Sequence, residues 1–343
     1  MRIRTREEII RLLTSNVTDF NKYREGTNYA PIDLRQVDLS GINLSGLISG
    51  VPKTDQNVIG NIFSSFKNIG KKQDKGANLY KINLSLVDLT DADLRWANMR
   101  GDSLYKAKLS GVNLSEADLS GVNLSFANLA NSDLNRSNLN GADLGEVILE
   151  GSNLRETDLY KANLILAHLA KANLSNAHLV WAKMGEADLT GAILNQADLY
   201  KANMIMCKLD NAVLTEAIMR RANAEQASFV RANLSNAKME EVNLSRANLS
   251  FANLKEVDLR EAKLYETIFS NASLTNANMS NADCTKANFT ETDFTGTNLC
   301  GAILKDANLK NSLNLDKALV NEFMIWPESD LLPDGYIPPG STM

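Results

Sequence analysis

An all-β solenoid is the fold class this sequence predicts, and three observations predict it. From position 79 to position 309 every fifth residue is a core residue without a slip of register, 47 in a row, of which 35 are Leu. The others are Met, Phe, Cys or a single Ala, Ala224. Two residues before each, 31 of the 47 positions hold Ala, and most of the rest hold Val, Ser or Thr. The residue between is Asn or Asp 31 times, so the stretch from Glu116 to Ser125 reads as the consensus A-(N/D)-L-x-x.

Period five fits neither the helix repeat of about 3.6 nor the strand repeat of about 2. In an α-helix the Leu positions would advance by about 500° per repeat and spiral around every side, so no single apolar row could be buried. A coil that turns a corner every five residues buries them all. The large Leu and the small Ala then point inward, and three residues per repeat face out.

These repeats make the chain resemble the pentapeptide-repeat proteins. The resemblance covers 79–309, with three further repeats at Ile32-Asp33-Leu34, Val37-Asp38-Leu39 and Ile42-Asn43-Leu44. It implies a right-handed quadrilateral β-helix, four repeats or 20 residues per coil, with coils stacked by backbone hydrogen bonds. At a spacing of roughly 4.8 Å, about 12 coils would make a rod of about 55–60 Å. Asn and Asp suit the bends, since their side chains bond local backbone and tolerate unusual dihedrals.

Five segments follow along the chain. Residues 1–30 are expected to form an N-terminal helical cap, because a solenoid's terminal coil exposes apolar and hydrogen-bonding surface. There Thr5-Arg6-Glu7-Glu8 has capping-box spacing and Ile9, Ile10, Leu12 and Leu13 follow a helical pattern. Residues 31–45 hold the first repeats. Residues 46–76 interrupt them, and within that insertion Val58, Ile59, Ile62, Phe63, Phe66 and Ile69 follow helical spacing. Lys67, Lys71, Lys72 and Lys75 follow at the segment's C-terminal end, where cations suit the helix dipole. This helix either packs back on the solenoid or docks a partner or membrane surface through Ile59, Ile62, Phe63 and Phe66. Residues 77–311 form the continuous β-helix. In 312–343 Asn314 breaks the register, and Leu315, Ala318, Leu319, Phe323 and Trp326 predict a short capping helix before a proline-rich, irregular tail.

Composition bounds the function. The chain has 343 residues and a formal net charge of -5, far from the basic balance of a nucleic-acid binder, so direct nucleic-acid binding is not expected. No run of 18 apolar residues predicts a transmembrane helix. The start, MRIRTREEIIRLL, lacks a signal-peptide apolar region, and the expected location is cytoplasmic. Cys207, Cys284 and Cys300 have neither disulfide nor zinc spacing. Neither a nucleophile–base pair nor a phosphate-binding loop is recognisable. An enzyme is not expected, and no small-molecule substrate, cofactor or metal is.

If four repeats make one coil, residues 20 apart stack on one face. One face then collects Tyr80-Lys81, Tyr160-Lys161, Trp181, Tyr200-Lys201, Arg100, Arg220 and Arg221. The adjoining face carries Leu86, Phe126, Ile165, Leu166, Ile205 and Met206 at outward positions. Aromatics and cations beside an apolar strip have the composition of an interaction surface. Equally, stacked tyrosines could serve only as stabilising cross-strand pairs. His168 and His178 take outward Asn/Asp positions and should fall on opposite faces. Asp102 takes an inward small-residue slot, where a local bulge or partial exposure is expected because a buried charge is costly. Ala224 should leave a gap unless Met204, Phe229 or Leu244 fills it.

The leading expectation is a non-catalytic scaffold or regulatory protein that binds a protein partner along one face. Long repeats, an N-terminal helix and an irregular tail resemble the cyanobacterial members of the family. A second branch protects DNA gyrase by mimicking duplex DNA, which requires a strongly acidic surface. Between 77 and 309 there are 28 acidic and 22 basic residues, a net of 22 − 28 = -6 spread over all faces, which argues against mimicry. A membrane-associated adaptor docking through 58–75 is the third alternative.

Overall fold

The computed structural model describes residues 84–86, 89–92 and 94–339. The expected N-terminal cap, the first repeats, the 46–76 insertion with its docking helix, Tyr80 and Lys81 lie outside them. The chain divides into two compact units, Met1–His168 and Leu169–Met343, and the described residues of each are built the same way.

A pentapeptide with the consensus Asn or Asp places all five of its backbone N–H groups. In the repeat around Leu114, the Leu N–H donates to the Asp133 carbonyl one coil ahead at 2.7 Å, and the Asn113 N–H reaches back to Ala92 at 2.9 Å. The Glu116 N–H donates to Asn135 of the coil ahead at 2.9 Å, and the Ala117 N–H closes the corner on Leu114 at 3.1 Å. The fifth donor, the Ser115 N–H, has no backbone partner in this scheme. It is taken by the Asn113 side chain at 3.0 Å. The same bond recurs at Ser175, Thr190, Ser250 and Thr295 with Asn173, Asp188, Asn248 and Asp293. The consensus Asn or Asp is therefore a side-chain acceptor for the donor two residues on. Where Ser228 stands in its place, Asp210 of the preceding coil accepts the Val230 N–H at 2.9 Å instead.

The unusual dihedral falls elsewhere than expected. The residue in the left-handed region is not the Asn or Asp but the second corner residue, two after Leu, with φ near +57° at Glu241 and +59° at Asn236. No β-branched residue occupies a left-handed position among the described residues. The reason is steric, since a branched Cβ there meets its own backbone. Asn236→Val is thus expected to destabilise the C-terminal unit by about 1–2 kcal/mol, whereas Ser235→Val next to it should change stability by less than about 0.5 kcal/mol. Urea unfolding of the two variants checks this, and equal losses would refute the assignment.

In the first unit parallel bridges run from Asn98–Asp118 to Ile148–His168, each joining residues 20 apart. In the second they run from Asn173–Ile193 to Ile303–Ile325. Four pentapeptides thus make one coil within each unit. Inside, the Leu and Ala columns are fully buried. Phe269 and Phe289 lie on successive coils with their rings stacked at 5.0 Å, and Phe294 sits 5.2 Å from Phe289. Several threonines in the small slot donate to carbonyls of the preceding coil. Thr267 donates to Leu244 and Thr292 to Phe269, at 2.8 and 2.7 Å.

Asp102 departs from expectation. Its corner is regular, with N–H to Met99 at 3.2 Å and carbonyl accepting from Asn123 at 2.9 Å, and it is 2% exposed. There is neither a bulge nor partial exposure, because the coil's backbone bonds hold the slot inward whatever side chain occupies it. Ala224 is fully buried, as are Met204, Phe229 and Leu244 around it.

The C-terminal segment also differs from the expected helix. It contains two three-residue 3₁₀ turns, Leu315–Lys317 and Ser329–Leu331, and otherwise continues the stack. Phe294, Leu299, Leu304 and Leu309 donate to the carbonyls of Leu313, Leu319, Ile325 and Leu331, so the last coil turns its corners every six residues. The preceding coil offers a complete row of donors, and following them satisfies the segment's carbonyls without helical bonds. Leu315, Met324 and Leu332 are buried, whereas Leu319 and Phe323, expected on the inner side of a helix, face solvent.

Candidate protein-binding face

Because the inward positions are committed to the core, chemical variety falls to the three outward residues of each repeat, the bridge position included, where His168, His178, Ile193 and Ile268 are exposed. In the first unit one corner edge stacks Leu86, Tyr105-Lys106 and Phe126. Tyr105 meets Phe126 edge-on at 5.6 Å, and the Lys106 ammonium lies 5.1 Å from the Tyr105 ring and 5.5 Å from Phe126. On the neighbouring corner Lys161 sits over Tyr160 at 4.9 Å. Ile165 and Leu166, both 42% exposed, occupy the same corner edge as Phe126, two coils on.

In the second unit the Lys201 ammonium lies between two rings, 4.7 Å from Trp181 and 5.2 Å from Tyr200. The Lys201 hydrogen bond, with Arg221 behind it, pulls the Tyr200 phenol below its ordinary range. Arg221 then grips Glu241 with two hydrogen bonds of 3.0 and 2.8 Å. That contact holds the Glu241 carboxyl below the usual carboxylate range. Arg220 pairs with Glu240 at 3.5 Å. The structure therefore brings Trp181, Tyr200, Lys201 and Arg221 onto one corner edge. It also pairs both arginines with acids one coil on, so this edge is less basic than the sequence suggested. On the next corner Met206 is exposed and Ile205 half-exposed.

Sequence reasoning missed Tyr105 and Lys106, as well as Arg231 over Phe251 at 5.0 Å and Tyr265 flanked by Arg246 and Lys286, both at 5.6 Å. The available signal was a cation and a ring 19 to 21 residues apart, with both at corner positions.

Two glycines stand out. Of the described glycines, all but Gly145 and Gly185 have φ in the left-handed region, where the corner favours Gly. These two are first corner residues, positions at which Ser, Thr, Tyr and Ile occur elsewhere. A Cβ on Gly185 would meet only the Ile205 carbonyl, at 3.9 Å, and one on Gly145 would meet side-chain atoms at 3.4 and 3.5 Å and the Ile165 carbonyl at 4.0 Å, all ordinary contacts. Glycine costs conformational entropy relative to Ala, about 0.5–1 kcal/mol inside a regular element. Neither φ nor internal packing accounts for the choice.

Catalytic chemistry finds little to build on. Among the described residues there is no cluster of three or more His, Cys, Asp or Glu side chains that could hold a metal. No described helix is long and apolar enough to cross a membrane. Burial pushes the Cys207 thiol up to about 12 and raises that of Cys284, so neither supplies a thiolate. His168 and His178 are exposed at bridge positions. An open depression of about 140 Å³ is lined by Arg220, Glu240, Glu241, Arg260 and Glu261, with no apolar wall to hold a small molecule.

A family model described as pentapeptide repeats matches 8 copies, in stretches from 75–101 to 277–313. No curated protein matches the chain significantly. Among solved structures the chain is similar to HetL, a pentapeptide repeat protein involved in heterocyst differentiation regulation from the cyanobacterium Nostoc sp. strain PCC 7120. Identity is 32% over 72% of this chain and 93% of HetL, with a TM-score of 0.32. It is also similar to Rfr23 from the cyanobacterium Cyanothece 51142, at 34% identity over 29% of this chain and 63% of that one, with a TM-score of 0.20. QnrB1, a plasmid-mediated fluoroquinolone resistance protein, is 16% identical over 72% of this chain and 91% of its own, with a TM-score of 0.32.

Proposed function

The chain belongs to the pentapeptide-repeat family, and from that premise we propose that it is a non-catalytic regulatory scaffold that binds a protein partner through its corner edges. We read its coils as a right-handed quadrilateral β-helix. The edges concerned carry Phe126, Tyr160, Lys161, Ile165 and Leu166 in the first unit, and Trp181, Tyr200, Lys201, Ile205 and Met206 in the second. The observation that carries the reading is the Trp181–Lys201–Tyr200 ladder, in which Trp181 is exposed and Tyr200 and Lys201 are half-exposed. Pre-ordered aromatics lose little freedom on binding, and Trp and Tyr are over-represented at interface centres. The 32% identity to HetL, whose described role is regulatory, supports the same reading.

DNA mimicry fits less well, because several of the surface acids are held by arginines on adjacent coils. Arg136–Glu156, Arg221–Glu241 and Arg246–Glu266 lie at 2.7, 2.8 and 3.0 Å. A gyrase supercoiling assay in which the protein relieves quinolone poisoning would reverse this ranking. The cytoplasmic location, and docking through residues 58–75 as the alternative to the insertion packing on the solenoid, belong to the proposal as expectations from the sequence.

The test is affinity capture from the native cell with the full chain and with a Trp181→Ala, Tyr160→Ala, Tyr200→Ala variant. At least tenfold lower recovery of the partner by the variant is expected. Equal recovery places the binding surface elsewhere.

A further inference from the structure

Two stations of the same construction lie 40 residues apart in sequence, one in each unit. In the first, Gly145-Glu146 precedes Asp158-Leu159-Tyr160-Lys161-Ala162-Asn163 and then Ile165-Leu166. In the second, Gly185-Glu186 precedes Asp198-Leu199-Tyr200-Lys201-Ala202-Asn203 and then Ile205-Met206. The coil accounts for the Asp, Leu, Ala and Asn of each copy. It does not account for the Gly, Glu, Tyr, Lys or apolar pair, all of which stand at corner positions.

Geometry repeats with the sequence. The Glu146 N–H donates to the Ile165 carbonyl at 3.0 Å, and the Glu186 N–H to the Ile205 carbonyl at 2.9 Å. The bare glycine corner therefore stands directly against the apolar corner of the next coil, and the missing side chain is the notch at each station. Each notch has an exposed carboxylate on its own corner, Glu146 or Glu186. Along the same coil, one corner away, is a cation held over a tyrosine, Lys161 at 4.9 Å or Lys201 at 5.2 Å. Neither φ nor internal contacts demand the two glycines. The absence of a side chain at both equivalent points is explained by an outside group that fills the space.

We infer that each notch receives one large aliphatic side chain of an extended partner segment. An acid of that segment lies toward Lys161 or Lys201, and a base toward Glu146 or Glu186. The chain consequently binds two copies of the same segment, and a partner presenting it twice, as a dimer or in tandem, gains avidity. This inference rests on the partner-binding reading above and adds to it the occupant and the stoichiometry.

The probe is a phage-displayed random dodecapeptide library panned on the immobilised full chain, with enriched peptides synthesised and titrated by calorimetry. Enriched peptides should share an aliphatic residue with an acid close by and bind at two sites per chain with similar affinity. Gly145→Val and Gly185→Val should each halve the stoichiometry, and the double variant should abolish binding, with the circular dichroism spectrum and thermal midpoint unchanged. If a valine variant lowers the midpoint, Lys161→Glu and Lys201→Glu replace it, each expected to weaken its own station at least tenfold. A single site per chain, or two sites that survive both double variants, overturns the paired stations while leaving the scaffold reading standing. A library that yields no binding peptide overturns the segment-binding inference, and the affinity capture above then decides the scaffold reading by itself.

Discussion

Phe289→Ala should destabilise the C-terminal unit by about 3–5 kcal/mol, the range for emptying a buried Phe site. Phe289 is fully buried, stacks on Phe269 at 5.0 Å with ring planes 8° apart, and touches Phe294 at 5.2 Å. The loss should approach the top of that range because the site cannot collapse. Backbone bonds clamp the coil on both sides, with the Phe289 N–H to the Asn308 carbonyl and the Asn288 N–H to Thr267, at 2.7 and 2.9 Å. A cavity therefore persists, and two aromatic contacts worth about 0.5–1.5 kcal/mol each go with it. Phe289→Leu, which restores the commonest residue of that column, should recover most of the loss. Guanidinium unfolding followed by far-UV circular dichroism measures both. If Phe289→Ala costs less than about 1 kcal/mol, the coil is more compliant than its hydrogen bonds imply.

Ala277→Leu makes the opposite error and should cost about 1–3 kcal/mol, as overpacking does. Ala277 is 1% exposed, and its N–H closes the corner on Leu274 at 2.8 Å. Its carbonyl accepts from Asn298 one coil on, at 2.9 Å. With both ends of the residue pinned, a larger side chain cannot be relieved by sliding the corner outward. Ala277→Ser should be far milder, since Thr297 occupies the next slot in that column and donates its hydroxyl to the Leu274 carbonyl at 2.8 Å. An Ala277→Leu variant as stable as the parent would show that the small slot has spare volume.

Both substitutions fall on the feature most legible in the sequence. Large and small residues alternate at fixed spacing because every coil imposes the same inward slots, so the pattern survives averaging over 47 repeats. The stacking of residues 20 apart was legible too, through the resemblance. The chemistry of the corner was only half legible. Asn and Asp were correctly marked as bend residues whose side chains bond local backbone, and they accept from the donor two residues on. The strained φ belongs to the residue three places later, as at Asn113 and Glu116. The absence of Val, Ile and Thr from that position was visible in the sequence, but its meaning depends on knowing which residue turns left-handed.

The candidate face shows the same division. Which side chains project was readable from numbering, and Trp181, Tyr200 and Lys201 do share an edge. Their charge was not readable, because neutralisation of Arg220 and Arg221 depends on Glu240 and Glu241 one coil away adopting matching rotamers. At the C-terminus the apolar spacing of Leu315, Leu319 and Phe323 mimics a helix, and local pattern alone favours that answer.

Period, core columns and outward positions are properties of the chain repeated upon itself, and the five-residue repeat was enough to establish them. Asp102 held inside without a bulge, six-residue corners replacing a terminal helix, and arginines cancelled by acids a coil away are not local properties. Each was settled by long-range hydrogen bonds and ion pairs between residues about 20 apart, which fix the backbone first and leave the side chain to fit.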